Sequence, residues 1–131
     1  MKLPWTSPTT AEAGERAEAY VGRYLERQGL ALVATNYRCR RGELDLVARD
    51  GELLVFVEVR LRNHQRFASG AESVDLRKQR RLIATAQHFL QARFGNSPPA
   101  CRFDVAAVTI NRGSGGGYHV EWLKDAFRPG F

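Results

Sequence analysis

The chain has 131 residues, of which 44% are hydrophobic, and a formal net charge of +6. That length and apolar content suit one folded domain over residues 1–131 and exclude a disordered chain. No apolar run approaches the ~18 residues of a membrane span, and the opening MKLPWTSPTTAEAG lacks the apolar stretch of a signal peptide, so a cytoplasmic protein with no membrane partner is expected.

In chain order, residues 1–8 read as a loose leader. Thr9 followed by Glu12 forms a capping box and predicts a helix from Thr10 to about Gln28, with Gly29 as its C-terminal stop. Ala17, Tyr20, Val21, Tyr24 and Leu25 recur at helical spacing and give its buried stripe. Leu30–Cys39 reads as a first strand. Two more strands, Glu43–Arg49 and Glu52–Arg60, flank an Asp50-Gly51 turn signal. The segment LLVFVEV scarcely alternates, as expected of a central strand buried on both faces.

A polar loop follows over Asn63–Glu72. A second helix is expected from Ser73 or Asp75 to Gly95, with an apolar face of Leu76, Ile83, Ala86, Leu90 and Phe94 and with Leu82 and Phe89 beside them. Lys78, Arg81, Thr85 and His88 fall on another face. Arg102–Ile110 reads as a strand, Gly113–Gly117 as a flexible loop, Tyr118–Leu123 as an edge strand and residues 124–131 as an irregular tail. Two amphipathic helices need a sheet to cover, so the pattern predicts an α/β fold, a mixed central sheet with helices on both faces. Cys39 and Cys101 lack zinc-ligand spacing and read as free thiols. Arg102 and Asp104 read as a local structural pair.

Carboxylates inside apolar strands are costly unless paired, hydrogen-bonded or bound to metal. A type I′ turn at Asp50-Gly51 pairs Arg49 with Glu52 and, stepping outward, Glu43 with Glu58. Glu43, Asp45, Glu58 and Arg60 then share one face, and Leu44, Leu46, Val57 and Val59 the other. Opposed carboxylates ~5 Å apart repel, and a divalent cation with oxygen ligands would relieve that repulsion. The competing reading is a solvated acidic face.

The basic charge is unevenly spread. Four basic residues balance four acidic ones from Met1 to Leu30, whereas Arg60–Arg81 holds seven basic residues against Glu72 and Asp75. Arg38, Arg40 and Arg41 precede the hairpin. Such clustering fits a polyanionic partner or a solvated surface.

The stretches GERAEAYVGRYLERQG, NYRCRRGELDLVARD, FVEVRLR, SVDLRKQRRLIATAQHFL, RFDVAAV and the closing DAF, in this order, resemble the YraN-type proteins. These are small bacterial proteins predicted to be endonucleases, similar to archaeal Holliday-junction resolvases and to the wider PD-(D/E)xK nuclease superfamily. The resemblance runs from about Gly14 to Phe127. It implies a restriction-endonuclease-like fold in the order αβββαββ and cleavage of DNA phosphodiesters, branched or structured DNA included. Asp45 and Glu58 would hold Mg²⁺ or Mn²⁺, with a helix-1 carboxylate, Glu15, near the metal and Glu43 as an additional acid. Lys78 and Gln79 would approach from the second helix. Arg40, Arg41, Arg62, Arg77, Lys78 and Arg81 are the candidates for gripping nucleic acid. Resolvases address two strands with two sites, which suggests a homodimer.

The family generally has EVK where this chain has EVR, so Arg60 stands at the lysine position. Arginine stays protonated and cannot act as a general base, although it can hold a phosphate oxygen and stabilise developing charge. The leading expectation is therefore a metal-dependent nuclease. The alternative is a nucleic-acid-binding module of the same fold with weak or no catalysis. A third reading is an interaction protein whose acids are residual.

Overall fold

The computed structural model describes residues 10–62, 74–110 and 117–129. The leader, Thr9 of the capping box, the 63–72 loop and most of the glycine-rich 113–117 segment lie outside them. The elements are α1 (Thr10–Arg27), β1 (Ala31–Cys39), β2 (Gly42–Asp50), β3 (Leu53–Arg62), α2 (Leu76–Phe94), β4 (Cys101–Ile110) and β5 (Tyr118–Phe127). The order αβββαββ is the expected one. The five strands form one sheet in sequential order. β3 and β4 pair in parallel and all other neighbours antiparallel. This mixed sheet with a helix on each face is consistent with a restriction-endonuclease-like fold.

α1 ends as its sequence directs. Gly29 takes a left-handed φ of 96°, and Leu30 N–H reaches back to the Leu25 carbonyl, closing the helix through a residue without a Cβ penalty. Ala17, Val21 and Leu25 bury against Leu46, Val55, Val57, Ala106 and Val108 on one face of the sheet. On the other face Leu82, Ala86 and Phe89 of α2 meet Leu44, Phe56, Phe103 and Val105. Phe56 stacks on Phe103 at 5.2 Å and meets Phe89 edge-on at 6.0 Å. β3 feeds both cores, which is why its sequence does not alternate.

Four expectations are corrected. First, the β2–β3 turn is centred on Gly51 and Glu52, with Asp50 paired to Leu53. Gly51 alone has positive φ there, 63°, the pattern of a type II′ rather than a type I′ turn. The register moves by two residues, which preserves strand parity within the ladder. Second, Leu44 leaves the face of Leu46 and packs in the α2 core, because the ladder ends at Leu46 and Val57 and β2 turns away there. Third, Leu82, Ala86 and Phe89 of α2 are buried as expected, but Thr85 of the polar face is buried with them, and Leu76 and Phe94 of the expected apolar face are exposed. Thr85 tolerates burial because its hydroxyl donates to the Arg81 carbonyl at 2.7 Å. Fourth, β5 continues through the expected tail to Phe127. A register shift between Phe103 and Val105 of β4 and a φ of 53° at Asp125 accommodate it.

Cys39 and Cys101 are free thiols. Among the described residues no helix is long and apolar enough to cross a membrane.

Candidate active site

Where the β2–β3 ladder stops, the next residues outward are Asp45 and Glu58. Asp45 Oδ2 accepts from Val59 N–H at 2.9 Å, so a side chain takes the backbone donor that a β2 carbonyl would otherwise serve. The Asp45 carboxylate lies beside both Glu58 and Glu18 of α1. Burial first, then the charge of Asp45, pushes the Glu58 carboxyl up to about 8, with Lys78 pulling the other way without outweighing them. Burial, then the charges of Asp45 and Glu43, pushes Glu18 up to about 7. The remaining acid is tied in by Asn36, held at a φ of 52°. With its amide nitrogen turned to the carboxylates it donates to Glu18 Oε1 at 2.9 Å and Glu43 Oε1 at 3.0 Å. Glu43 also pairs with Arg38 at 3.3 Å.

Cations stand over the acids. Lys78 Nζ lies 2.9 Å from Glu58 Oε2, and Arg60 Nη1 lies 3.9 Å from the same oxygen. Glu43, Asp45, Glu58, Lys78, Arg41 and Arg81 line a cleft of about 200 Å³ whose remaining walls are Gly42 and Leu82. Among the described residues no aromatic side chain borders it.

The structure thus brings together Glu43, Asp45, Glu58, Arg60, Lys78, Arg41 and Arg81 from the expected set. Others fall elsewhere. Glu15 is exposed and lines a separate cleft of about 220 Å³ on the α1 face, one turn before Glu18. The Gln79 amide donates to the Val74 carbonyl at 2.9 Å and so fastens the entry to α2. Arg62 reaches Glu121 of β5 at 3.6 Å. Arg40 and Arg77 are exposed. Among the described residues no three Asp, Glu, His or Cys side chains are gathered as a metal-holding set, so Asp45, Glu58 and Glu15 are not assembled as a trio. Glu18 is the residue that sequence reasoning missed. Its signal was its place beside Ala17 of the buried stripe, which turns it toward the sheet. The Arg102–Asp104 pair is the structural contact expected, at 2.9 Å.

Fold and site define an α/β protein that gathers carboxylates at a strand fork and walls them with basic side chains. The chain belongs to the Uncharacterised protein family UPF0102, which it matches over residues 17–108. It is 52% identical over 124 residues to a UPF0102 protein of Ralstonia pickettii, covering 92% of this chain and 93% of that one. It is 48% identical over 116 residues to a UPF0102 protein of Methylobacillus flagellatus, with 88% and 96% covered. A UPF0102 protein of Pseudomonas putida is 48% identical over 127 residues, with 95% and 98% covered.

Proposed function

We propose that this protein is a Mg²⁺- or Mn²⁺-dependent nuclease that hydrolyses phosphodiesters of DNA, with structured or branched DNA as its preferred class. The observation that carries this reading is the meeting of Asp45 and Glu58 at the fork, under a basic wall of Lys78, Arg41 and Arg81. The donor set fits a hard cation, since every acid offers oxygen alone, and burial, with the neighbouring charge of Asp45 adding to it, raises Glu18 and Glu58. Mg²⁺ is commonly held by one or two carboxylates, with water and phosphate oxygens completing its shell, so Asp45 and Glu58 suffice. When bound, the ion supplies Lewis-acid polarisation of the phosphoryl group and a more acidic water.

The chain's own residues do the rest. Asp45 and Glu58 would hold the ion through their carboxylate oxygens. Arg60 neutralises phosphoryl charge that develops beside Glu58. Arg41 and Arg81, with exposed Arg40 and Arg77, grip flanking phosphates. With no aromatic ladder among the described residues of the cleft, sequence is read weakly.

Calorimetric Mn²⁺ titration of wild type and of the Asp45→Asn, Glu58→Gln double variant tests the metal site. Binding by wild type and none by the folded double variant is expected, and equal binding overturns the site. DNA affinity should fall steeply with salt, with a shallower slope in an Arg77→Ala, Arg81→Ala variant. A second reading, a binding module of the same fold, is favoured by Arg60 at the lysine position. Salt-dependent binding with no cleavage of flap, junction or single-stranded substrates would select it.

A further inference from the structure

We infer that Lys78, reaching in from α2, is the catalytic amine of this cleft, where it grips the phosphoryl group under attack while Arg60 serves from further out. The catalytic half of this inference rests on the nuclease reading. The phosphate-gripping half does not. The geometry carries it. Two cations address the same buried oxygen, Glu58 Oε2, and the lysine is the nearer, at 2.9 Å against 3.9 Å. Lys78 also borders the cleft floor formed by Asp45 and Glu58, whereas Arg60 is not among the cleft-lining residues.

Lys78 is held where it can act. It is the third residue of α2, and its backbone N–H donates to Asp75 Oδ1 at 2.9 Å, so the N-cap fixes its Cα. The neighbouring Gln79 side chain ties the same turn to the Val74 carbonyl. Only the side chain remains free to move, and it is one-third exposed. A phosphate oxygen entering between Glu58 and Arg81 comes within reach of the ammonium. Lysine's compact charge can follow that oxygen as the phosphorus geometry changes, which a planar guanidinium does less well. The second helix thus supplies the amine that the third strand, carrying arginine, does not.

The test has two arms, applied to wild type, Lys78→Met, Lys78→Arg and Arg60→Met after thermal unfolding shows each to be folded. In the first, inorganic phosphate is titrated in EDTA and read by ³¹P NMR. Lys78→Met should weaken binding about 10-fold, and Arg60→Met and Lys78→Arg by less than about 3-fold. In the second, single-turnover cleavage of a labelled flap duplex is followed with Mn²⁺. Lys78→Met should slow cleavage at least ~100-fold, and Lys78→Arg, which keeps the charge over Glu58, should not restore it. A purely structural partner of Glu58 would be replaced by arginine in both arms. Phosphate binding that is absent in wild type or unchanged in Lys78→Met overturns the inference, as does a greater loss from Arg60→Met. Should wild type cleave nothing, the nuclease reading fails and the phosphate arm alone decides Lys78. Should Lys78→Met not fold, Lys78→Gln takes its place under the same criteria.

Discussion

Two carboxylates sit in neighbouring strands of one sheet and meet opposite fates. Asp104 of β4 is fully buried and receives two donors on each oxygen. Arg102 Nε and Asp125 N–H reach Oδ1 at 2.9 and 2.8 Å, and Arg102 Nη2 and Trp122 Nε1 reach Oδ2 at 3.1 and 2.8 Å. Glu58 of β3 is nearly as buried, at 6% exposure, yet it faces another carboxylate as well as a cation. The first site is a closed hydrogen-bond knot that ties β4 to β5. The second is frustrated, because it keeps acids together at the cost of protonating them. Burial alone therefore does not separate a structural acid from one proposed to act in the cleft. What separates them is whether the surrounding donors satisfy the charge.

The largest effect should come from undoing the knot. Asp104→Ala leaves a guanidinium, an indole N–H and a backbone N–H without their acceptor, and should cost roughly 3–5 kcal/mol. Equilibrium denaturation should show a lower midpoint with an unchanged slope. A loss under about 1 kcal/mol would mean the contacts do not matter. The frustrated site should behave in the opposite sense. Glu58 is raised to about 8 from an unfolded value of 4.5, so its stabilising contribution is complete below pH 4.5 and is lost as pH rises through about 8. Glu58→Gln stays neutral throughout. It should match wild type near pH 5 and exceed it at pH 8.5 by roughly 1–3 kcal/mol. Parallel pH profiles for the two proteins would sink the claim that this acid is strained.

How much of this was legible beforehand depended on how local the cause was. The shared face of Glu43, Asp45 and Glu58 survived a wrong turn assignment, because a two-residue slip preserves strand parity. The Arg102–Asp104 pair, two residues apart on one strand, was visible directly. Causes distant in sequence were not. The tail Lys124–Phe127 reads as polar and irregular, and it continues the strand because Asp125 N–H meets Asp104, 21 residues away. Thr85 reads as part of a polar face, and its burial follows from an internal bond to Arg81. Glu18 was passed over for Glu15 because helix phase relative to a strand fork is set by tertiary packing. Leu44 changed faces at a ladder end that strand alternation cannot foresee.

The smallest effect concerns what keeps the frustrated site open. Its walls are set by backbone packing, and Gly42 is the contact. This residue starts β2 with a φ of 151°, a region that side-chain-bearing residues rarely adopt. A Cβ there would lie 3.1 Å from Thr85 Oγ1, itself held by its bond to the Arg81 carbonyl. Gly42→Ala therefore meets backbone strain and a neighbour that cannot easily give, and should cost about 1–2 kcal/mol. Removing the hydroxyl separates the two causes. In a Thr85→Ala background the steric part disappears and only the strain remains, so the added cost of Gly42→Ala should shrink by at least about 0.5 kcal/mol. Denaturation of the four proteins in the cycle measures that coupling. Full additivity would mean that β2 and α2 do not press on each other at this point, and that the cleft between Glu58 and Arg81 owes its width to something else.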